Sequence, residues 1–215
     1  MDLYSSLTDG IRLSGTFFRR RSFYVYPDQT IAMPKEWIKL QKNKFEVIVM
    51  KFQTKKTIMA AMLAALACVA TMIIKIPSPM QQGYLNLGDC VVLLCGFVLS
   101  PVYGFLAAGI GSFLADIFAG YAVYAPATFL IKGLMALTAH FGFRLLSKKC
   151  GAKLSKVLSG ACGVIVMVLG YYIFEGFLYG FVPSLVNIPA NALQGAVGLI
   201  LGIALTHIFE KHHIL

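Results

Sequence analysis

The sequence predicts an all-α integral membrane protein, a bundle of six transmembrane helices with both termini in the cytoplasm. Three observations lead there. Hydrophobic residues make up 58% of the 215 positions and mean hydropathy is +0.76, more apolar surface than a water-soluble fold can hide. Charged residues are only 13%, about half the usual share. Lys and Arg are also clustered, 11 of 19 in residues 1–56 and five more from Arg144 to Lys156. Clusters of this kind beside apolar spans hold loops in the cytoplasm, so the net charge of +10 reads as a topology signal rather than a nucleic-acid footprint.

Apolar windows and breakers set the spans. The first runs over about Thr57–Ile76 and stops at Pro77 and Pro79. The second, about Leu87–Leu99, ends at Ser100-Pro101, and the third is about Val102–Ala119, closed by Gly120. The fourth covers about Tyr124–Leu146, the fifth Val157–Phe181 and the sixth Ser184–Phe209. The second span is short: thirteen residues rise only ~20 Å as helix, against a hydrocarbon core of ~30 Å. Spans two and three must therefore tilt, extend into their loops or pack together as a buried hairpin.

Residues 1–49 hold the only Trp (Trp37), a basic run at Arg19–Arg21 and no sustained period of 2 or 3.6. We expect a poorly ordered extension there, followed by a six-helix membrane domain over 50–215. Met50 opens a short basic head and an apolar helix, which reads as a natural translation start. No cleavable signal sequence is visible. The five cysteines lie in or beside apolar spans without a C-x-x-C pair, so they read as small buried hydrophobes.

Outside the basic loop, the membrane region carries five charges: Lys75, Asp89, Asp116, Lys132 and Glu175. A charge inside a helix bundle costs at least ~2.5–3.5 kcal/mol on insertion scales, which makes each one a candidate for function. The topology puts all five in the outer half of the bilayer or at its outer face. Asn187, Asn191 and Gln194 follow at i, i+4, i+7 on one face of the sixth span, and Asn86 precedes the second. With Tyr124 and Tyr171 they supply amides, carboxylates, a cation and flat aromatic faces. That mixture suits a small polar heteroaromatic ligand. The substrate-binding candidates are therefore Asn86, Asp89, Asp116, Tyr124, Lys132, Tyr171, Glu175, Asn187, Asn191 and Gln194. Plainer readings stand beside these: an Asp116–Lys132 bridge between helices, Asp89 favouring a helix start, and Tyr121 and Tyr179 in an aromatic belt. His140 reads as a packing residue, and no metal site is assigned.

Small residues form a second pattern, with Ala60-x3-Ala64 and Ala61-x3-Ala65 in the first span. Ala107, Gly111, Ala115 and Ala119 lie in the third, and Gly198-x3-Gly202 in the sixth. Such spacing lets helices approach closely in lipid. It reads as internal packing in spans three and six, and as a surface for a partner in span one. No P-loop, H-E-x-x-H or G-x-S-x-G is present, so no cofactor or enzymatic centre is expected on this chain. A membrane-embedded enzyme would need carboxylates or His near the cytoplasmic face. A stand-alone secondary carrier would need matched broken helices in its two halves.

The stretches "AAMLAALACVATMIIKIPSP", "LNLGD" and "SPVYGFLAAGIGSFLAD" resemble the substrate-binding S components of energy-coupling-factor (ECF) vitamin transporters, over about residues 50–210. The likeness is nearest to the riboflavin, pyridoxine and hydroxymethylpyrimidine branch. It implies a six-helix protein of the bacterial cytoplasmic membrane that captures a vitamin from outside. It also implies partners: a membrane scaffold (T) protein and two ATPases that use the ATP. Docking on the scaffold would fall to Ala60, Ala61, Ala64 and Ala65. A pyridoxine or hydroxymethylpyrimidine type of ring is the first expectation for the substrate, and riboflavin the second.

Overall fold

The structure is a computed structural model that describes the backbone of residues 35–77 and 84–211, and the side chains of 54–76 and 85–211. The chain divides into two compact units, Met1–Lys44 and Phe45–Leu215, and the membrane bundle belongs to the second. The helices are α1 (Lys35–Ile73), α2 (Gly88–Val98), α3 (Pro101–Ala119), α4 (Ala125–Cys150), α5 (Ala152–Tyr179), α6 (Phe181–Ser184) and α7 (Asn187–Lys211). Two residues on each side of the α1–α2 connection, β1 (Ile76–Pro77) and β2 (Tyr84–Leu85), pair antiparallel. The first helix is described from Lys35, ahead of the Met50 boundary; residues 1–34 lie outside the described part.

Five stretches are long and apolar enough to cross a bilayer: Thr54–Ile73, Pro101–Ala119, Ala125–Cys150, Ala152–Tyr179 and Phe181–Lys211. The expected second span, α2, is different. Its eleven residues rise about 16 Å and cannot cross alone. Instead Gly88–Gly96 is buried on every side, with Val92, Leu93, Leu94 and Cys95 fully enclosed. A helix that is apolar all round belongs in the centre. Helix α2 therefore forms the core against which α3, α4 and α7 pack, while α5 flanks α4 and α7.

Small residues set these approaches. A Cβ on Gly111 would collide with the Ala64 carbonyl oxygen, so α3 rests directly on α1. A Cβ on Gly198 would lie 2.6 Å from Asp89 Cβ, so α7 lies backbone-close to α2. The stripes in spans three and six are thus internal packing, as their spacing suggested. In α1 the alanines divide: Ala60 is buried and Ala64 half-buried, whereas Ala61 and Ala65 face outward. At one end of the bundle Lys156 bridges α5 to Glu210 of α7 at 2.7 Å. At the other end, the starts of α2, α4 and α7 meet the ends of α3 and α5.

Candidate functional site

Chain direction alternates through the bundle, so polar residues scattered along the sequence come to one end. The turn after α3 is made by Gly120, whose φ of 84° suits a residue without a Cβ. It reverses the chain within a few residues and delivers Tyr121 and Tyr124 beside Asp116 of the last α3 turn. Helix α5 contributes Tyr171 and Glu175, and α7 opens with Asn187, Asn191 and Gln194. Asn86, in the link from β2 to α2, completes the ring.

These groups line a cavity of about 40 Å³, whose wall also includes Thr128. A small-molecule pocket is typically ~300–1,000 Å³, so admitting even one heteroaromatic ring requires wall side chains to move apart. A larger cavity of about 230 Å³ at the opposite end is lined by Lys55, Lys56, Met59, Val98, Leu99, Ser100 and Tyr103. Among the described residues it brings together no carboxylate or carboxamide. The convergence of polar side chains from five parts of the chain marks the smaller cavity as the candidate site.

Eight of the ten expected residues line it: Asn86, Asp116, Tyr124, Tyr171, Glu175, Asn187, Asn191 and Gln194. The other two, Asp89 and Lys132, lie behind the wall as a buried ion pair. Lys132 thus finds its ion-pair partner in Asp89. The second Asp89 oxygen accepts from Gln194 Nε2 at 2.7 Å, and Gln194 Oε1 accepts from the backbone N–H of Asn86 at 3.0 Å. Asn86 Oδ1 in turn accepts from Gly88 N–H at 2.9 Å. One polar chain therefore ties α4, α2 and α7 to the connection before α2. Both functions of the Gln194 amide are engaged in it, so Gln194 acts first as a fastener of the wall.

The aromatic side is built the same way. Lys132 Nζ stands 5.3 Å from the Tyr171 ring centroid, and the Tyr171 hydroxyl lies 3.2 Å from Thr128 Oγ1. Tyr124 meets Phe174 edge-on at 5.3 Å and Tyr121 at 6.5 Å. Asn187, 2% exposed, donates from Nδ2 to Glu175 Oε2 at 2.9 Å. Tyr121 belongs to the cavity wall as well as to the aromatic layer at this end. Thr128 was not legible as a site residue because it is uncharged, although it lies one turn before Lys132 on the same face. His140 lies toward the opposite end, its Nδ1 3.1 Å from the Gly96 carbonyl oxygen.

A sequence model of the family described as the ECF-type riboflavin transporter, S component, matches residues 51–211. The chain belongs to this family. An uncharacterized protein in a gap 3′ region of Pyrococcus woesei is 36% identical over 143 residues, 66% of this chain and 93% of that protein. The thiamine precursor transporter HmpT of Lactococcus lactis subsp. cremoris is 28% identical over 162 residues, 75% of this chain and 91% of HmpT. A solved structure, titled as the structure and mechanism of the S component of a bacterial ECF transporter, aligns with a TM-score of 0.62 and 30% identity. The alignment covers 74% of this chain and 98% of that one. This S component is thus a multi-pass membrane protein with a substrate-capture role, and it is not an enzyme.

Proposed function

We propose that this S component captures a small heteroaromatic vitamin or vitamin precursor, of the hydroxymethylpyrimidine or pyridoxine type. The polar cavity carries this reading: carboxamides, carboxylates and tyrosines converge from α3, α4, α5, α7 and the Asn86 link on a space suited, once opened, to one ring. HmpT, named for a thiamine precursor, supports it. The family's riboflavin description favours a second reading, in which a larger ring system enters the same cavity.

In this reading the cavity faces outward, because the basic residues Lys148–Lys156 and Lys55–Lys56 lie at the other end of the bundle. The membrane is the bacterial cytoplasmic membrane. A scaffold protein with two ATPases supplies the energy, and the exposed Ala61 and Ala65 form the docking surface. The flanking Ile58 and Met62 are also exposed, at 56% and 68%. Small molecules retained by the purified protein, identified by mass spectrometry, test the substrate. Recovery of a lipid or nucleotide in place of a vitamin-like ring overturns the reading. Enlarging Ala61 and Ala65 to Leu should abolish uptake by the complex and leave binding to the isolated S component intact.

A further inference from the structure

We propose that Asn187 and Glu175 form a subsite that reads an exocyclic primary amine on the substrate ring. The proposal rests on the vitamin-capture reading and narrows it to aminated rings. Glu175 Oε2 is an acceptor, so the Asn187 amide must turn its NH2 toward it, as the 2.9 Å contact shows. That orientation leaves Asn187 Oδ1 buried and without a hydrogen-bond partner. Buried polar atoms are almost always satisfied, so one left over in a cavity wall points to a donor brought by the ligand.

The charge of the wall agrees. Among the described residues, two carboxylates, Asp116 and Glu175, line the cavity, and no Lys or Arg does. Lys132, behind the wall, is committed to Asp89. The Gln194 amide is likewise engaged at both ends. The Asn187–Glu175 corner of the wall presents acceptors, and the two carboxylates disfavour a phosphate ester or a carboxylate on the ligand. A ring –NH2 has two hydrogens, one for Asn187 Oδ1 and one for the Glu175 carboxylate. A ring hydroxyl has one, and a ring C–H has none.

The chemistry is tested by calorimetric titration of the purified full-length protein with three probes. These are an aminopyrimidine carrying a hydroxymethyl group, the same pyrimidine with hydrogen in place of the amine, and pyridoxine. The aminated ring should bind about tenfold to hundredfold more tightly than its amine-free counterpart, because the latter leaves the buried acceptor unpaired. Asn187→Leu should remove most of this preference, bringing the affinities of the aminated and amine-free rings to within about threefold of each other. Glu175→Gln, a milder change, should reduce the preference in part. Equal affinity of the wild-type protein for the two pyrimidines overturns the subsite and leaves the capture reading standing. Binding of none of the three probes overturns both. Should Asn187→Leu fail to fold, the wild-type comparison decides alone.

Discussion

At the scale of single residues, the site separates side chains that face the cavity from those that hold its wall. Asn191 is half-buried and lines the cavity without a structural partner as evident as that of Gln194. We expect Asn191→Ala to weaken ligand binding about tenfold to hundredfold, the usual effect of one lost polar partner, with little loss of folded protein. His140→Ala, toward the opposite end, should leave affinity nearly unchanged, and titration of both variants checks the contrast. The Lys132–Asp89 pair behaves differently because both groups are buried. Removing one charge strands the other, at a cost of about 3–5 kcal/mol. Asp89→Asn or Lys132→Met should therefore lower the thermal stability of the detergent-solubilised protein sharply. The double variant should recover part of the loss. Strictly additive effects would show that the pair is not coupled.

At the scale of elements, the position of α2 governs the site. It is too short to span and too apolar to face water, so it is buried, and the polar group at its start, Asp89, goes inward with it. What permits this is the absence of a side chain at Gly198, where a Cβ would collide with Asp89 Cβ. Gly198→Leu should push α7 from α2, break the Gln194–Asp89 contact and abolish binding. Ala196→Leu, two residues away on an exposed face, should be tolerated. Binding by both variants at wild-type affinity would refute the close approach of α2 and α7. The same logic divides the α1 alanines. Ala64 is engaged against Gly111, so a bulky residue there perturbs the fold itself, whereas Ala61 and Ala65 face away from the bundle.

At the scale of the whole molecule, orientation decides whether the cavity receives solute from outside. In a background without the native cysteines, Lys153→Cys, in the basic segment, should stay protected from a membrane-impermeant thiol reagent in intact cells. Ala122→Cys, exposed in the α3–α4 turn, should label. Labelling of position 153 from outside would invert the topology and, with it, the direction of capture. The bilayer acts on the molecule as a whole, since Lys55–Lys56 and the Lys148–Lys156 segment favour the cytoplasmic face and lie at the end of the bundle away from the cavity.

The sequence by itself determined the helical class, the order of the apolar segments and the end of the bundle at which the candidate site lies. These follow from hydropathy, breakers and charge clusters, which are properties of one segment at a time. It also brought eight of the ten wall residues into one layer, because depth along each helix can be counted at about 1.5 Å per residue. Only the tertiary structure decided which side chains meet. Lys132 finds Asp89, 43 positions away, and Gln194 reaches Asp89 across 105. Those partnerships depend on the rotation of each helix about its axis and on the depth at which α2 sits. Both are set by the contacts of Gly111 and Gly198 with neighbouring helices, and no count along a single chain segment contains them.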